Sequence, residues 1–243
     1  MKVIDLNADV GEGAGNDAWL VPLVTSVNIA CGAHAGDART MRETLALAAE
    51  HHVVAGAHPG FADRAQMGRR DLDLTRPELI ELVTNQLAAL HEYGEFHYVK
   101  PHGALYTMAA RDAAIAEAIA VAVKQFDATL VLMGLAGSQL VQAGREAGLR
   151  VVQEAFADRR YDAAGQLLAR GQPGAIITDE AEAVAQVLAL VRGEMIAVAG
   201  GRKITIAADS ICLHGDNQSA VKFARRLRTE LATAGVTVRS FIS

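Results

Sequence analysis

Cysteine, aromatic residues and charge of one sign are all scarce in this chain, and each scarcity excludes something. Only two cysteines, Cys31 and Cys212, occur in 243 residues, too few for a disulfide framework. Aromatic residues make up 5%, which leaves no stacking platform for single-stranded nucleic acid. Lysine and arginine number 23 against 28 acidic residues, a net charge of −5. With no basic stripe, neither nucleic acid nor an anionic membrane is an expected partner. Long apolar runs are missing as well. The most apolar stretch, residues 113–123, is short and holds Glu117, so it cannot span a bilayer. The first ten residues meet Asp5, Asn7 and Asp9 where a signal peptide needs an unbroken apolar segment. A reducing cytoplasm is the compartment these features lead us to expect.

What is present is alternation. Short apolar or β-branched runs recur at residues 3–6, 24–30, 53–57, 97–99, 129–133, 151–153 and 210–213. Between most of them, residues 39–51, 77–93, 112–126, 138–147, 179–191 and 217–234 carry apolar positions three and four apart, the helical spacing. Thr75 ahead of Pro77 and Glu78, and Thr178 ahead of Asp179 and Glu180, read as helix starts. Gly94, Gly148 and Gly235 stand where helices should stop. Strand and helix in alternation predict a parallel sheet, closed into a barrel or open and doubly wound. Residues 194–208, with Gly200-Gly201 at their middle, read as a β-hairpin insertion. No linker, low-complexity tract or internal repeat interrupts the pattern, so a single domain over residues 1–243 is expected.

The chemistry gathers just after the predicted strands. The first ends in Asp5-Leu6-Asn7-Ala8-Asp9-Val10-Gly11-Glu12, and the second runs from Asn28 through Cys31 and His34 to Asp37. The third gives Gly56-Ala57-His58-Pro59-Gly60 and the fourth Lys100-Pro101-His102-Gly103-Ala104. Later strands lead into Glu154 with Asp158-Arg159-Arg160-Tyr161, and into Cys212-Leu213-His214-Gly215-Asp216-Asn217. In any parallel α/β architecture these C-terminal strand ends share one face, and that face carries the active site. Helix caps account for residues such as Asp37 or Asn217. They do not account for four histidines, a lysine and several arginines on one rim, and an enzyme is the better reading.

These same strings, with residues 99–106 and 154–161, resemble the signatures of the group formed by the A subunits of 5-oxoprolinase, the LamB/YcsF family. The resemblance runs from residue 3 to about residue 240 with the blocks in order. Two departures are visible: Met67 precedes Gly68-Arg69-Arg70 where Phe is expected, and Thr107 follows Tyr106 where Asn is usual. Neither removes an ionisable group, so they bear on pocket shape alone. The resemblance implies an α/β fold, an irregular (β/α)7 TIM-like barrel of the glycoside hydrolase/deacetylase type. It also implies cleavage of 5-oxoproline to L-glutamate driven by ATP, with Mg²⁺ accompanying the nucleotide, in a complex with two further subunits, B and C.

Opening that lactam requires binding a carboxylate and a phosphate, activating water and protonating the departing nitrogen. Lys100, Arg69, Arg70, Arg159 and Arg160 are the natural anion binders, although paired arginines also serve as surface ion pairs. Asp9 and Glu12, three residues apart, are placed to polarise water. His34, His58 and His102 are the acid/base candidates near neutral pH. Asn7, Asn28, Glu154, His214 and Asp216 complete the set expected around substrate and phosphate. His51, His52, His91 and His97 fall in helices or mid-strand and read as surface or packing residues. Cys31 reads equally as a nucleophile and as a small buried hydrophobe.

Two other functions compete. A metal-dependent amidohydrolase or deacetylase would use Asp9, His34 and His58 as ligands, though no HxH or HExxH spacing demands it. A non-catalytic subunit would bind 5-oxoproline while its partners react with it. No Gly-x-x-x-x-Gly-Lys-Ser/Thr loop is present, so ATP binds either through a less regular site here or on a partner subunit.

Overall fold

The apolar runs become strands buried on both faces, as parallel strands covered by helices must be. They are β1 (Lys2–Val10), β2 (Ser26–Ala30), β3 (Val54–His58), β4 (Tyr98–Val99), β5 (Val131–Leu135) and β6 (Val151–Phe156). The short pair β7 (Ile196–Ala197) and β8 (Lys203–Ile204) follows, then β9 (Ser210–Leu213) and β10 (Val236–Val238). The computed structural model describes residues 2–213 and 218–242.

Seven strands pair in parallel in the order β1-β2-β3-β4-β5-β6-β9, and β9 returns to β1, so the sheet closes on itself as a barrel. The closing register sets Asp5 beside Ser210 and Asn7 beside Cys212. The next interface sets Asp9 beside Asn28, and the one after sets Ala30 beside His58. Matched registers bring the C-terminal ends of these strands to one rim. β10 lies outside the ring, parallel to the first residues of β1, and β7 and β8 form an antiparallel hairpin that pairs Ile196 with Ile204.

Helices α1 (Asp17–Leu20), α2 (Ala38–Glu50), α3 (Arg76–His91), α4 (Gly103–Arg111), α5 (Ala113–Phe126), α6 (Gln139–Glu146), α7 (Glu180–Arg192) and α8 (Gln218–Thr233) complete the fold. Asp37 caps α2 by accepting from Thr40 N at 2.8 Å, and Thr75 with Glu78 forms a capping box on α3. The cap of α7 is Asp179, which accepts from Glu182 N, one residue beyond the Thr178 predicted from sequence. No helix among the described residues is long and apolar enough to cross a membrane.

α4 is absent from the sequence-based reading, and its geometry explains why. It begins at Gly103 with φ +54, and a Cβ there would stand 2.7 Å from Gly68 O. No capping side chain marks its start. Its end is concealed too, because Asp112 is followed directly by α5, whose first turn it caps through Ala114 N and Ile115 N. Removing that cap would cost about 1 kcal/mol.

At the N-terminal end of the strands the barrel is stoppered. Tyr98 fills the space where Gly56 lacks a side chain, its ring standing where a Cβ would be. Phe241 meets the Tyr98 ring edge to face at 5.2 Å, and Phe241 and Ile242 pack against Val131, Met133 and Val152.

Candidate active site

The opposite end opens into a cavity of about 830 Å³. Asp9 and Glu12 reach it from the end of β1, His58 from β3, and Lys100 and His102 from the residues after β4. Tyr106 on α4, Phe156 at the end of β6 and Arg159 beyond it form the walls.

Lys100 is 2% exposed, and a buried ammonium persists only when paired. Its Nζ stands 2.8 Å from Glu154 Oε1 and 3.0 Å from Asp9 Oδ1, and it donates to Asn7 Oδ1 at 3.3 Å. Burial works against the charge, but the carboxylates of Asp9 and Glu154 outweigh it and hold the Lys100 pKa well above the ordinary lysine value. Burial likewise works against the Asp9 carboxylate, yet His58 and Lys100 keep its pKa well below the usual range.

A frame of buried amides and hydroxyls holds these charges in place. Asn28 Nδ2 donates to Asn7 Oδ1 and to Asp9 Oδ1, each at 2.8 Å. Asn7 Nδ2 donates to Glu154 Oε1 at 2.9 Å and to Ser210 Oγ at 2.8 Å. Tyr98 donates to Asn28 Oδ1 at 2.7 Å, and Tyr106 to Glu154 Oε2 at 2.7 Å. Asn7, Asn28 and Glu154 are therefore bonded to one another behind the cavity wall, rather than facing the space where substrate would lie.

The three rim histidines converge. His58 Nδ1 lies 2.7 Å from Lys100 O, His102 Nε2 lies 2.8 Å from Met67 O, and the inward nitrogens, His58 Nε2 and His102 Nδ1, are 3.0 Å apart. Glu12 Oε1 is 3.1 Å from His102 Nδ1 and 3.3 Å from His34 Nε2. His34 stacks on His102 with ring centroids 3.8 Å apart, and burial lowers its pKa to about 4. Asp9, Glu12, His58 and His102 each offer a ligand atom within 4.8 Å of the others, a group able to hold a metal ion. This set differs from the Asp9, His34 and His58 expected from sequence: His34 backs the group, while Glu12 and His102 belong to it.

The arginine pairs divide. Arg69 and Arg159 line the cavity. Arg70 turns away to Asp63, with its Nε 3.2 Å from the carboxylate, and Arg160 pairs with Glu182 at 2.7 Å. Neither Arg70 nor Arg160 is an anion binder of this cavity; both make the ion pairs that adjacent arginines often make. Arg159 is 5% exposed; its Nη2 donates to Leu168 O at 2.5 Å, and its buried Nε has no hydrogen-bond partner among the described residues. Arg170 joins the lining from the loop after β6, which two antiparallel bridges, Arg159 to Ile176 and Tyr161 to Leu167, tie together. Arg170 and Tyr106 were not singled out from sequence; Arg170 sits in no motif, and Tyr106 is visible only as the end of the block after β4. His214 and Asp216 lie outside the described residues. Cys31 is buried, its Sγ donates to Ile29 O at 3.2 Å, and burial pushes its thiol up to about 12. Burial and a raised thiol pKa are the setting of a packed side chain, and Cys31 does not line the cavity.

Comparison with known proteins bears on the family and the fold. Residues 4–243 match the model of the LamB/YcsF family. The A subunit of 5-oxoprolinase from Shouchella clausii (strain KSM-K16) is 50% identical over 250 residues, covering 99% of each chain. The A subunit from Methylococcus capsulatus (strain ATCC 33009 / NCIMB 11132 / Bath) is 51% identical over 247 residues, covering 98% of this chain and 95% of that protein. The lactam utilization protein from Thermus thermophilus superposes with a TM-score of 0.91 at 44% identity, covering 99% of this chain and 100% of that one. A family 4 carbohydrate esterase from Streptomyces lividans, 11% identical with a TM-score of 0.52 over 100% of this chain and 93% of that one, shares the barrel fold.

Proposed function

This chain belongs to the LamB/YcsF family, and from that membership we propose that it is the A subunit of a cytoplasmic 5-oxoprolinase, opening 5-oxoproline to L-glutamate with ATP. The observation that carries the reading is the cavity itself: Asp9, Glu12, His58, Lys100 and His102 meet at its floor, and a buried arginine, Arg159, stands in its wall. The relatives named as A subunits of 5-oxoprolinase, matched end to end, support the substrate.

The lactam is resonance-stabilised, which gives ATP its role. Transfer of the γ-phosphoryl group to the lactam oxygen releases ADP and leaves an activated imidate. Water adds at the ring carbon, the C–N bond breaks with the nitrogen taking a proton, and a second water releases phosphate from the resulting acyl phosphate. One 5-oxoproline, one ATP and two waters thus give glutamate, ADP and phosphate. In this cavity the Asp9, Glu12, His58 and His102 cluster activates the water and returns the proton to nitrogen. Lys100 faces the charge that develops on oxygen, and Arg159 anchors the substrate carboxylate.

Mg²⁺ accompanies ATP, and the B and C subunits complete the enzyme. The test is glutamate formation from 5-oxoproline, ATP and Mg²⁺ by this chain alone and with B and C. Product only from the mixture supports the reading and places ATP activation at least partly outside this chain. Product from the chain alone means that it carries its own nucleotide site. No product from an assembled complex overturns the reading.

A further inference from the structure

We infer that Asp9, Glu12, His58 and His102 hold one divalent first-row transition metal ion, with Zn²⁺ the best match to the donor set. Hydrogen-bond direction leads to it. A backbone carbonyl only accepts, so His58 Nδ1 at 2.7 Å from Lys100 O, and His102 Nε2 at 2.8 Å from Met67 O, must each carry the proton. When the rings are neutral, their inward nitrogens are then bare lone pairs, facing each other at 3.0 Å. Each also faces a carboxylate oxygen, His102 Nδ1 at 3.1 Å from Glu12 and His58 Nε2 at 3.4 Å from Asp9. Four potential ligand atoms converge on one point, a set that a divalent cation would bridge. Lys100 pairs with one member of this set, Asp9, and its ammonium is otherwise directed at Glu154 and Asn7.

Size and charge fit the same conclusion. Zinc bonded tetrahedrally to N and O at about 2.0–2.1 Å requires ligand atoms roughly 3.3 Å apart. Four of the edges here measure 3.0, 3.1, 3.4 and 3.9 Å. Glu154 matches the charge of Lys100, which leaves Asp9 and Glu12 as two negative charges for a divalent ion to neutralise. The supporting contacts are also those of a metal site: both imidazoles are oriented through their outer N–H by a carbonyl, and Asn28 and His34 hold Asp9 and Glu12. Imidazole with carboxylate favours Zn²⁺ over Mg²⁺ or Ca²⁺, which prefer oxygen alone. Metal binding at this point is independent of where ATP binds, and its test uses no substrate.

The untagged full chain is stripped with chelator, loaded with Zn²⁺ or Co²⁺, dialysed, and assayed for metal by mass spectrometry and for tetrahedral Co²⁺ by visible absorption. About one ion per chain is expected, with a thermal midpoint raised by the metal. Glu12→Gln and His58→Ala are expected to weaken binding by more than the ~10–100-fold typical of losing a supporting group. If His58→Ala fails to fold by circular dichroism, Glu12→Gln decides. Folded wild-type chain that retains no stoichiometric metal and shows no Co²⁺ bands overturns the inference, leaving shared protons between the histidines. Variants that bind as well as wild type overturn it equally, by placing the ion elsewhere.

Discussion

Tyr106 donates its hydroxyl to Glu154 Oε2 at 2.7 Å, joining the first turn of α4 to β6 across the intervening strand β5. Glu154 Oε1 is already held by Asn7 and Lys100, so Tyr106 completes the carboxylate's bonding. A neutral donor to a buried carboxylate contributes about 1.5–3 kcal/mol. Tyr106→Phe is expected to lower stability by that amount in urea unfolding. It should also reduce kcat more than it alters KM, because the group it holds is Lys100's partner. An unchanged unfolding midpoint together with unchanged kcat would sink this account.

Lys100→Met should be far more damaging than a typical substitution. It leaves Asp9 and Glu154 as buried carboxylates without their cation, a loss of about 3–5 kcal/mol. Adding Glu154→Gln to Lys100→Met should recover part of the stability and none of the activity. Equal stability of the single and double variants would show that Glu154 is not the partner that matters.

Arg159 is a buried guanidinium in the cavity wall whose Nε has no partner among the described residues, and a carboxylate is a ligand that fits it. Arg159→Gln is expected to raise KM for 5-oxoproline by about 10- to 150-fold, the equivalent of about 1.5–3 kcal/mol, with a smaller effect on kcat. The same variant should lose the preference for 5-oxoproline over the neutral lactam 2-pyrrolidone. Preserved KM and preserved selectivity in the assembled enzyme would remove Arg159 from substrate binding without touching the proposed reaction.

Stability should also depend on pH through Asp5. This residue lies deeper in the barrel, where Thr25 and Ser26 donate to it at 2.7 and 2.8 Å and Ser210 donates as well. Burial, only partly offset by these bonds, raises its pKa from 3.8 to about 6. A carboxyl that binds its proton more tightly when folded adds stability below pH 4, and that contribution is lost as pH rises through 6. Relative to Asp5→Asn, the wild-type protein should therefore lose on the order of 3 kcal/mol between pH 4 and pH 7. Urea-unfolding free energies of both proteins across that range provide the check. A difference that stays flat with pH would show that Asp5 does not titrate as described.

Much of this architecture could be read from the chain, because parallel strands buried on both faces announce themselves as apolar runs and the glycine-flanked polar residues after them mark the rim. His34, His58 and His102 stood out for that reason. What stayed hidden depends on closure of the ring. Nothing local says that His102 faces His58 while His34 lies stacked behind, since these residues are 24 and 44 positions apart or more and meet only through strand register. Nor does spacing separate Arg159 from Arg160: consecutive residues in an extended loop point to opposite sides, and only one of each arginine pair could face the cavity. β10 was too short to register as a strand, and α4 began at a glycine whose backbone no ordinary residue shares.

Among the described residues, the stopper of Tyr98, Phe241 and Ile242 closes the far end of the chamber and leaves the rim as its door. Whatever reacts there enters over this rim, where Arg170 is part of the lining, and the product leaves over the same rim. A partner seated over the mouth to hand in an activated reactant would, for as long as it stayed, also keep glutamate inside. Traffic through such a room is sequential, and the pace of turnover then belongs as much to the docking and departure of the visitor as to the breaking of the ring.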